Sequence, residues 1–256
     1  MSSSKTRERQ QRILDLVHKD VVDVDELSRH LGVSVSTARR DLNKLAAEGR
    51  LLRTYGGAAF VSHERKEHTL NERMHIQRPQ KEAIAALAAQ QIEDGDTLIL
   101  DAGTTTAALA RLLIGRGDLH VITNNIEVLT ILAKDPDIRL TMLGGEVRKL
   151  SMGAVGPLAE LALGRLSADK VFLGADGIVA SRGLCEASQD QAYLKEKMME
   201  QGDAVFVLAD SSKLNFAGQQ AWTPLSRPWT LITDADASPE QLAAFRELEN
   251  VSVLVA

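Results

Sequence analysis

Leu98-Ile99-Leu100-Asp101-Ala102-Gly103-Thr104-Thr105-Thr106 passes from an apolar run, through a glycine turn, to a run of hydroxyls. The apolar run is short and bounded by polar residues, the pattern of a fully buried strand. The glycine allows a tight turn, and a helix is expected from about Thr105. A strand that ends on Asp-x-Gly and opens a helix is the repeating unit of an α/β fold. The same alternation continues outward. A helix is expected over residues 84–92, and strands over 97–100, 119–123 and 138–143. Further strands are expected over 170–173, 204–209, 230–233 and 251–255, with a helix beginning at Asn125. Short apolar runs alternating with helices imply a mostly parallel sheet covered on both faces.

Polar clusters follow several of these strands. They are Asp101–Thr106, Thr123-Asn124-Asn125, Gly144-Gly145-Glu146, Gly174-Ala175-Asp176-Gly177 and Asp210-Ser211-Ser212-Lys213. Ligands of open α/β sheets sit beyond the carboxyl ends of the strands. Each cluster alone is also an ordinary turn or helix cap; together they favour one crevice for a small polar ligand. The N–H groups at the start of the helix after Gly103 favour an anion. The loop lacks the lysine of a P-loop, which argues against a nucleoside triphosphate.

The first sixty residues read differently. A helix over 7–18 places Ile13, Leu16 and Val17 on one face, and Asp23 with Glu26 suggests a capping box for a short second helix. Gly32 turns the chain, Ser34 caps a third helix, and Gly49 ends it. In that helix Ala38, Leu42 and Leu45 point inward, while Ser36, Thr37, Arg39 and Arg40 point outward. Residues 51–60, with Gly56-Gly57 inside, suggest a two-stranded wing. This is the layout of a winged helix-turn-helix, whose third helix enters the major groove. Ser34, Val35, Ser36, Thr37, Arg39 and Arg40 are the candidate DNA-reading residues, with Arg50, Arg53, Tyr55, Gly56 and Gly57 near the backbone. Asp41 is expected to orient an arginine, because a carboxylate beside phosphates is repelled. A three-helix module that binds protein would show the same helix spacing. Residues 61–80 are charged and poor in apolar side chains, and read as a linker that is in part helical.

Two stretches of the head, Ser34-Val35-Ser36-Thr37-Ala38-Arg39-Arg40-Asp41-Leu42 and Tyr55-Gly56-Gly57-Ala58, resemble the signature of the DeoR family of bacterial regulators. Ala38 stands where that family favours a larger β-branched residue, and Tyr55 where histidine is common. The larger region is similar to the family's effector domain, whose fold is like that of the phosphosugar isomerases. The matching stretches are Asp101–Thr106, Thr123–Asn125, Gly144-Gly145, Gly174–Gly177, Lys195 and Asp210–Lys213. Asp190 stands where the family usually has Glu. The resemblance implies a phosphorylated sugar or related metabolite as effector. Gly103, Thr104, Thr105 and Thr106 would then hold its phosphate, and Lys195 and Lys213 would add positive charge. Asp101, Asn124, Asp176 and Asp190 would bond sugar hydroxyls.

Composition agrees with this division. Residues 1–60 carry 11 Lys/Arg against 8 Asp/Glu, while the rest carries 19 against 27, a basic head on an acidic body. Aromatics make up only 4% of the chain, which disfavours a stacking platform for single strands. Cys185 is the lone cysteine, so an internal disulfide and a CxxC metal site are excluded. The six histidines show no metal spacing, and no metal or cofactor is expected. The polar N-terminus lacks the apolar stretch of a secretory signal, and no apolar run approaches a membrane span.

The expected protein is therefore a cytoplasmic regulator, a repressor that binds double-stranded operator DNA as a homodimer or homotetramer under control of a phosphorylated sugar. The rival from another class is a sugar-phosphate isomerase or deaminase, with Asp or Glu as base and Lys as electrostatic stabiliser.

Overall fold

The computed structural model describes residues 2–17, 22–47, 51–53, 57–60 and 68–256. The head begins with helix α1 (Ser2–Val17), a two-residue strand β1 (Val22–Asp23), helix α2 (Val24–Leu31) and helix α3 (Val35–Ala47). Strands β2 (Leu51–Arg53) and β3 (Gly57–Phe60) follow. Ile13, Leu14, Val24, Leu27, Ala38, Leu42, Leu45 and Leu51 form one apolar cluster, so α1, α2, α3 and the wing share a core. Gly32 sits at φ 62°, the left-handed conformation that lets α2 stop and α3 start within three residues.

Two details depart from the sequence reading. The wing has three strands, in the order β1-β3-β2, because β1 pairs with β3 through Val22 and Asp23. Two residues are too few to show a strand period. Asp23 caps α2 by accepting the N–H of Asp25 at 2.7 Å, an Asx turn, in place of a reciprocal bond with Glu26. Gly49, expected to end α3, lies outside the described residues.

Helices α4 (Leu70–His75) and α5 (Arg78–Ala89) come next. Both begin inside the stretch read as linker. Leu70 is buried, Thr69 and Glu72 form a capping box, and Gln80 bonds Asp236 at 2.8 Å. The charged residues that looked solvated are partly used in internal pairs, which composition does not reveal.

The body is a seven-stranded sheet, parallel throughout. Its strands are β4 (Thr97–Leu100), β5 (His120–Thr123), β6 (Arg139–Met142), β9 (Ala168–Leu173), β12 (Gly202–Leu208), β14 (Trp229–Thr233) and β15 (Val251–Val255). They lie in the order β15-β14-β12-β9-β4-β5-β6. The connecting helices are α6 (Thr104–Leu113), α7 (Ile126–Leu132), α8 (Pro157–Leu163), α9 (Gln189–Glu200) and α10 (Pro239–Arg246). A hairpin of β7 (Glu146–Arg148) and β8 (Gly153–Val155) stands apart. So does an antiparallel sheet of β10 (Gly177–Val179), β11 (Gly183–Glu186) and β13 (Ala221–Thr223).

Alternation along the strands divides the interior in two. Leu98, Leu100, Phe172, Phe206 and Leu208 face α5, α6 and α7. Ile99, Val171, Leu173, Val205 and Val207 face α8, α9 and α10. Phe172 and Phe206 stack with ring centroids 4.9 Å apart, joining neighbouring strands on the first face. From β4 the chain builds outward to β5 and β6, and from β9 it builds the other way. The order reverses between β4 and β9, and a crevice opens at such a switch point.

Candidate functional site

In the head, Ala38, Leu42 and Leu45 are buried, while Ser34, Ser36, Arg39 and Arg40 are exposed and Val35 and Thr37 half-buried. Ser34 Oγ accepts the N–H of Thr37 at 3.3 Å and lies 2.8 Å from its hydroxyl, so the cap also orders the outward side chains. Asp41 is buried and points the other way, to α1. Arg9 Nε donates to Asp41 at 2.5 Å and Gln10 Nε2 at 3.5 Å. The arginine that Asp41 orients is Arg9, and the hydrogen bond holds the Arg9 guanidinium above its usual pKa. Arg39 and Arg40 are left facing outward. Gly57 opens β3 and Arg53 ends β2, whereas Arg50, Tyr55 and Gly56 lie outside the described residues.

In the body, the switch point brings Asp101, Gly174 and Lys195 together. Lys195, buried on α9, donates to Asp101 Oδ2 and to the Gly174 carbonyl at 2.8 Å. Gly174 N–H donates to the same Asp101 oxygen at 3.1 Å. Glu186, the last residue of β11, lies 3.3 Å from Lys195 Nζ, yet its Oε1 has no aligned hydrogen bond. Burial, reinforced by Asp176 and Asp101, pushes the Glu186 carboxyl up to about 8 against the opposing pull of Lys195. Burial alone would lower Lys195; Asp101 and Glu186 outweigh it and hold it charged above the usual lysine range. Lys195 is thus the counter-ion of the buried Asp101 carboxylate, with Glu186 beside it, and its charge is not free for a phosphate. Cys185, beside Glu186, is pushed up to about 12 by burial and is no nucleophile.

Several residues expected to touch ligand build the crevice instead. Thr106 Oγ1 donates to the carbonyls of Asp101 and Gly103 at 2.7 and 2.9 Å. Asn125 Nδ2 donates to the Gly103 carbonyl at 3.1 Å, and its Oδ1 caps α7 through Glu127 and Val128. Thr123 Oγ1 donates to the Leu100 carbonyl at 2.6 Å and accepts from Asn125 N–H. These bonds lock the turn after β4 to the turn after β5. Asn124 Nδ2 donates to the Ala154 carbonyl at 3.0 Å, leaving its buried Oδ1 without a partner. Gly103 offers no side-chain cap, so the first N–H groups of α6 carry no side-chain cap bond from their N-cap residue.

Gly144 and Gly145 are exposed at the entrance to the β7–β8 hairpin. Gly145 has φ 130°, and a Cβ there would meet the Val155 carbonyl at 2.3 Å, so glycine is required for the turn itself. Asp190 is exposed in the first turn of α9, with no ion pair among the described residues. Asp176 is half-buried, accepts the Ala187 N–H at 3.2 Å and faces Arg73. Lys213 Nζ donates to the Ala175 carbonyl at 2.6 Å and lies 4.0 Å from Asp210.

Lys81 and Arg73 were missed in the sequence. Lys81 shares the inward face of α5 with Ile84, Ala85 and Ala88. A lysine in phase with an apolar stripe was the available signal. Its Nζ donates to the carbonyls of Arg73 and Ile76 at 2.6 and 2.7 Å. Burial first, then Lys213 and Arg73, lower it to about 8, with Asp210 opposing. Lys81 and Thr104 line a cavity of about 470 Å³ between α4, α5 and α6, which also meets Arg78 and Arg111. The described residues include no cluster of His, Cys, Asp and Glu able to hold a metal, and no helix long and apolar enough to cross a membrane.

The DeoR-like helix-turn-helix domain matches residues 9–64, and the DeoR C terminal sensor domain matches residues 76–235. The chain belongs to the DeoR family of DNA-binding transcriptional regulators. It is 34% identical to the uncharacterized HTH-type transcriptional regulator YulB of Bacillus subtilis, over 94% of this chain and 93% of that one. It is 33% identical to the transcriptional repressor AccR of Agrobacterium fabrum, over 92% of each chain. The glycerol-3-phosphate regulon repressor of Escherichia coli is 33% identical over 90% of this chain and 92% of that one. The ribose 5-phosphate isomerase A of Methanocaldococcus jannaschii overlays 54% of each chain with a TM-score of 0.39 and 19% identity, too distant to carry chemistry across.

Proposed function

We propose that this DeoR-family regulator is a cytoplasmic repressor of a carbohydrate operon, released from or driven onto its operator by a phosphorylated sugar or similar metabolite. The observation that carries the ligand half is the start of α6, which has no side-chain cap and shares a cavity with Lys81, itself near Lys213. A helix N-terminus with free N–H groups and nearby cations suits a phosphate. The names of two relatives, the glycerol-3-phosphate regulon repressor and the lactose phosphotransferase system repressor, point to the same class of pathway. Thr104, Thr105, Gly103 and Lys213 are the proposed phosphate contacts. Asp176 and Asn124 are the proposed hydroxyl contacts, Asn124 through its unpartnered oxygen.

For the DNA half, Ser36, Thr37, Arg39 and Arg40 form the proposed reading face of α3, with the wing on the backbone. The head is proposed to span residues 1–60 and the effector domain the remainder from α4 onward. A homodimer or homotetramer would present two recognition helices to a repeated half-site. Selection from random duplex DNA tests this reading. Wild-type protein should enrich a repeated motif and an Arg39→Ala, Arg40→Ala double variant should not. Equal enrichment by both proteins would remove α3 as the reader.

A further inference from the structure

We propose that Arg73 is the receptor for the anionic group of the effector, and that through it occupancy of the crevice is passed to the chain leading to the head. The inference rests on the effector reading above. Arg73 lies on α4, the first described element after the wing, four residues beyond the capping residue Thr69. Its side chain crosses to the crevice, where Nη1 lies 3.4 Å from Asp176 Oδ1. The other two nitrogens, Nε and Nη2, are buried and make no hydrogen bond. A buried guanidinium with donors unmade is costly, and native structures keep such groups for a partner. Nε and Nη2 form one edge of the guanidinium, the fork that binds two oxygens of a phosphate or carboxylate side by side. Asp176 on the opposite edge fixes the fork's orientation and leaves that edge without a protein hydrogen bond.

The surroundings select an anion. Arg73, Lys81 and Lys213 gather here, with Asp176 beside Arg73 and Asp210 beside Lys213 as counter-charges. Lys81 Nζ holds the carbonyl of Arg73 itself, so one cation positions the backbone of the other. Filling the fork therefore loads α4 directly. Because α4 is short and is followed by Ile76, whose carbonyl also binds Lys81, the two lysine bonds fix its far end, while its start is the end that leads back along the chain to the head. An effector that binds α4 more tightly in one placement than another shifts the head's affinity for DNA by the same factor.

The test uses the full chain, with inorganic phosphate, D-ribose 5-phosphate and glycerol 3-phosphate as probes. Thermal shift reads binding, and fluorescence anisotropy of a selected duplex reads DNA affinity. Wild type should be stabilised by at least one probe, with a change in DNA affinity. Arg73→Lys keeps the charge but loses the fork, and should weaken probe binding roughly ten- to a hundredfold. Arg73→Gln should weaken it at least as much. Both variants should still bind the duplex, but their DNA affinity should no longer respond to probe at concentrations that saturate wild type. Arg73→Lys with wild-type probe affinity and response overturns the proposal while the effector reading stands. No shift of the wild type by any of the probes removes both.

Discussion

The head and the body handle charge in opposite ways. Among the described residues the head's core is apolar apart from Gln10 and Asp41, which tie α3 to α1, and the arginines of its third helix stand in water. The crevice of the body buries Asp101, Glu186, Lys195 and Lys81 and leaves atoms of Arg73, Asn124 and Glu186 without a hydrogen bond. A polyanion is met at a surface, where long-range charge attracts and exposed side chains reach base edges. A small anion is met by groups already stripped of water, whose unmade bonds set the strength of the response. The same chain thus keeps its DNA contacts cheap to display and its ligand contacts costly to leave empty.

That contrast can be broken at several points. The largest effect is expected from Lys195→Met, which strands the buried Asp101 carboxylate beside Glu186. Chemical unfolding of the body should lose about 3–5 kcal/mol, and an unchanged midpoint would show that Lys195 is not the counter-ion of Asp101. Next is the Arg39→Ala, Arg40→Ala double variant. Each base-edge contact is worth about 1–3 kcal/mol, so anisotropy should show a loss of tenfold or more in DNA affinity with no change in thermal stability. Asp41→Ala should act the other way, destabilising the head by about 1–3 kcal/mol through Arg9 and Gln10, and weakening DNA only as far as the head unfolds.

The smallest effect is one of pH. Lys81 is lowered to about 8 and Glu186 raised to about 8, so between pH 7 and 9 the crevice loses a positive charge and gains a negative one. Affinity for a phosphorylated probe should fall across that window, and Lys81→Gln with Glu186→Gln should flatten the fall. In the ligand-free protein the two groups oppose each other. The depressed Lys81 makes stability rise with pH from about 8 toward 10.5, whereas the raised Glu186 makes it fall from about 4.5 toward 8. A minimum in ligand-free stability near pH 8 is the expected signature in a thermal scan of wild type against the double variant.

Most of the fold could be read before the structure, because strands buried on both faces leave unbroken apolar runs such as 98–100 and 171–173. The recognition helix was equally plain, since Ala38, Leu42 and Leu45 recur at helical spacing. What could not be read was the use made of polar residues. Thr106, Thr123 and Asn125 carry the chemistry of a binding loop, yet spend it on backbone carbonyls of neighbouring turns. Lys195 fits a phosphate by type, and only its burial between Asp101 and Glu186 shows otherwise. Arg73 lay hidden because it is one charge among many in a stretch poor in apolar residues, and its partner Asp176 is over a hundred residues away. Residue type states what a side chain can do; long-range pairing decides what it has left to give.

The most direct test is to measure the affinity of the full chain for its selected duplex with and without a saturating phosphorylated sugar, at fixed salt. The expected result is a change of at least fivefold, matched by the same factor in the sugar's affinity for the free and DNA-bound protein. A sugar phosphate that binds the crevice and leaves DNA affinity unchanged would contradict the coupling of body to head.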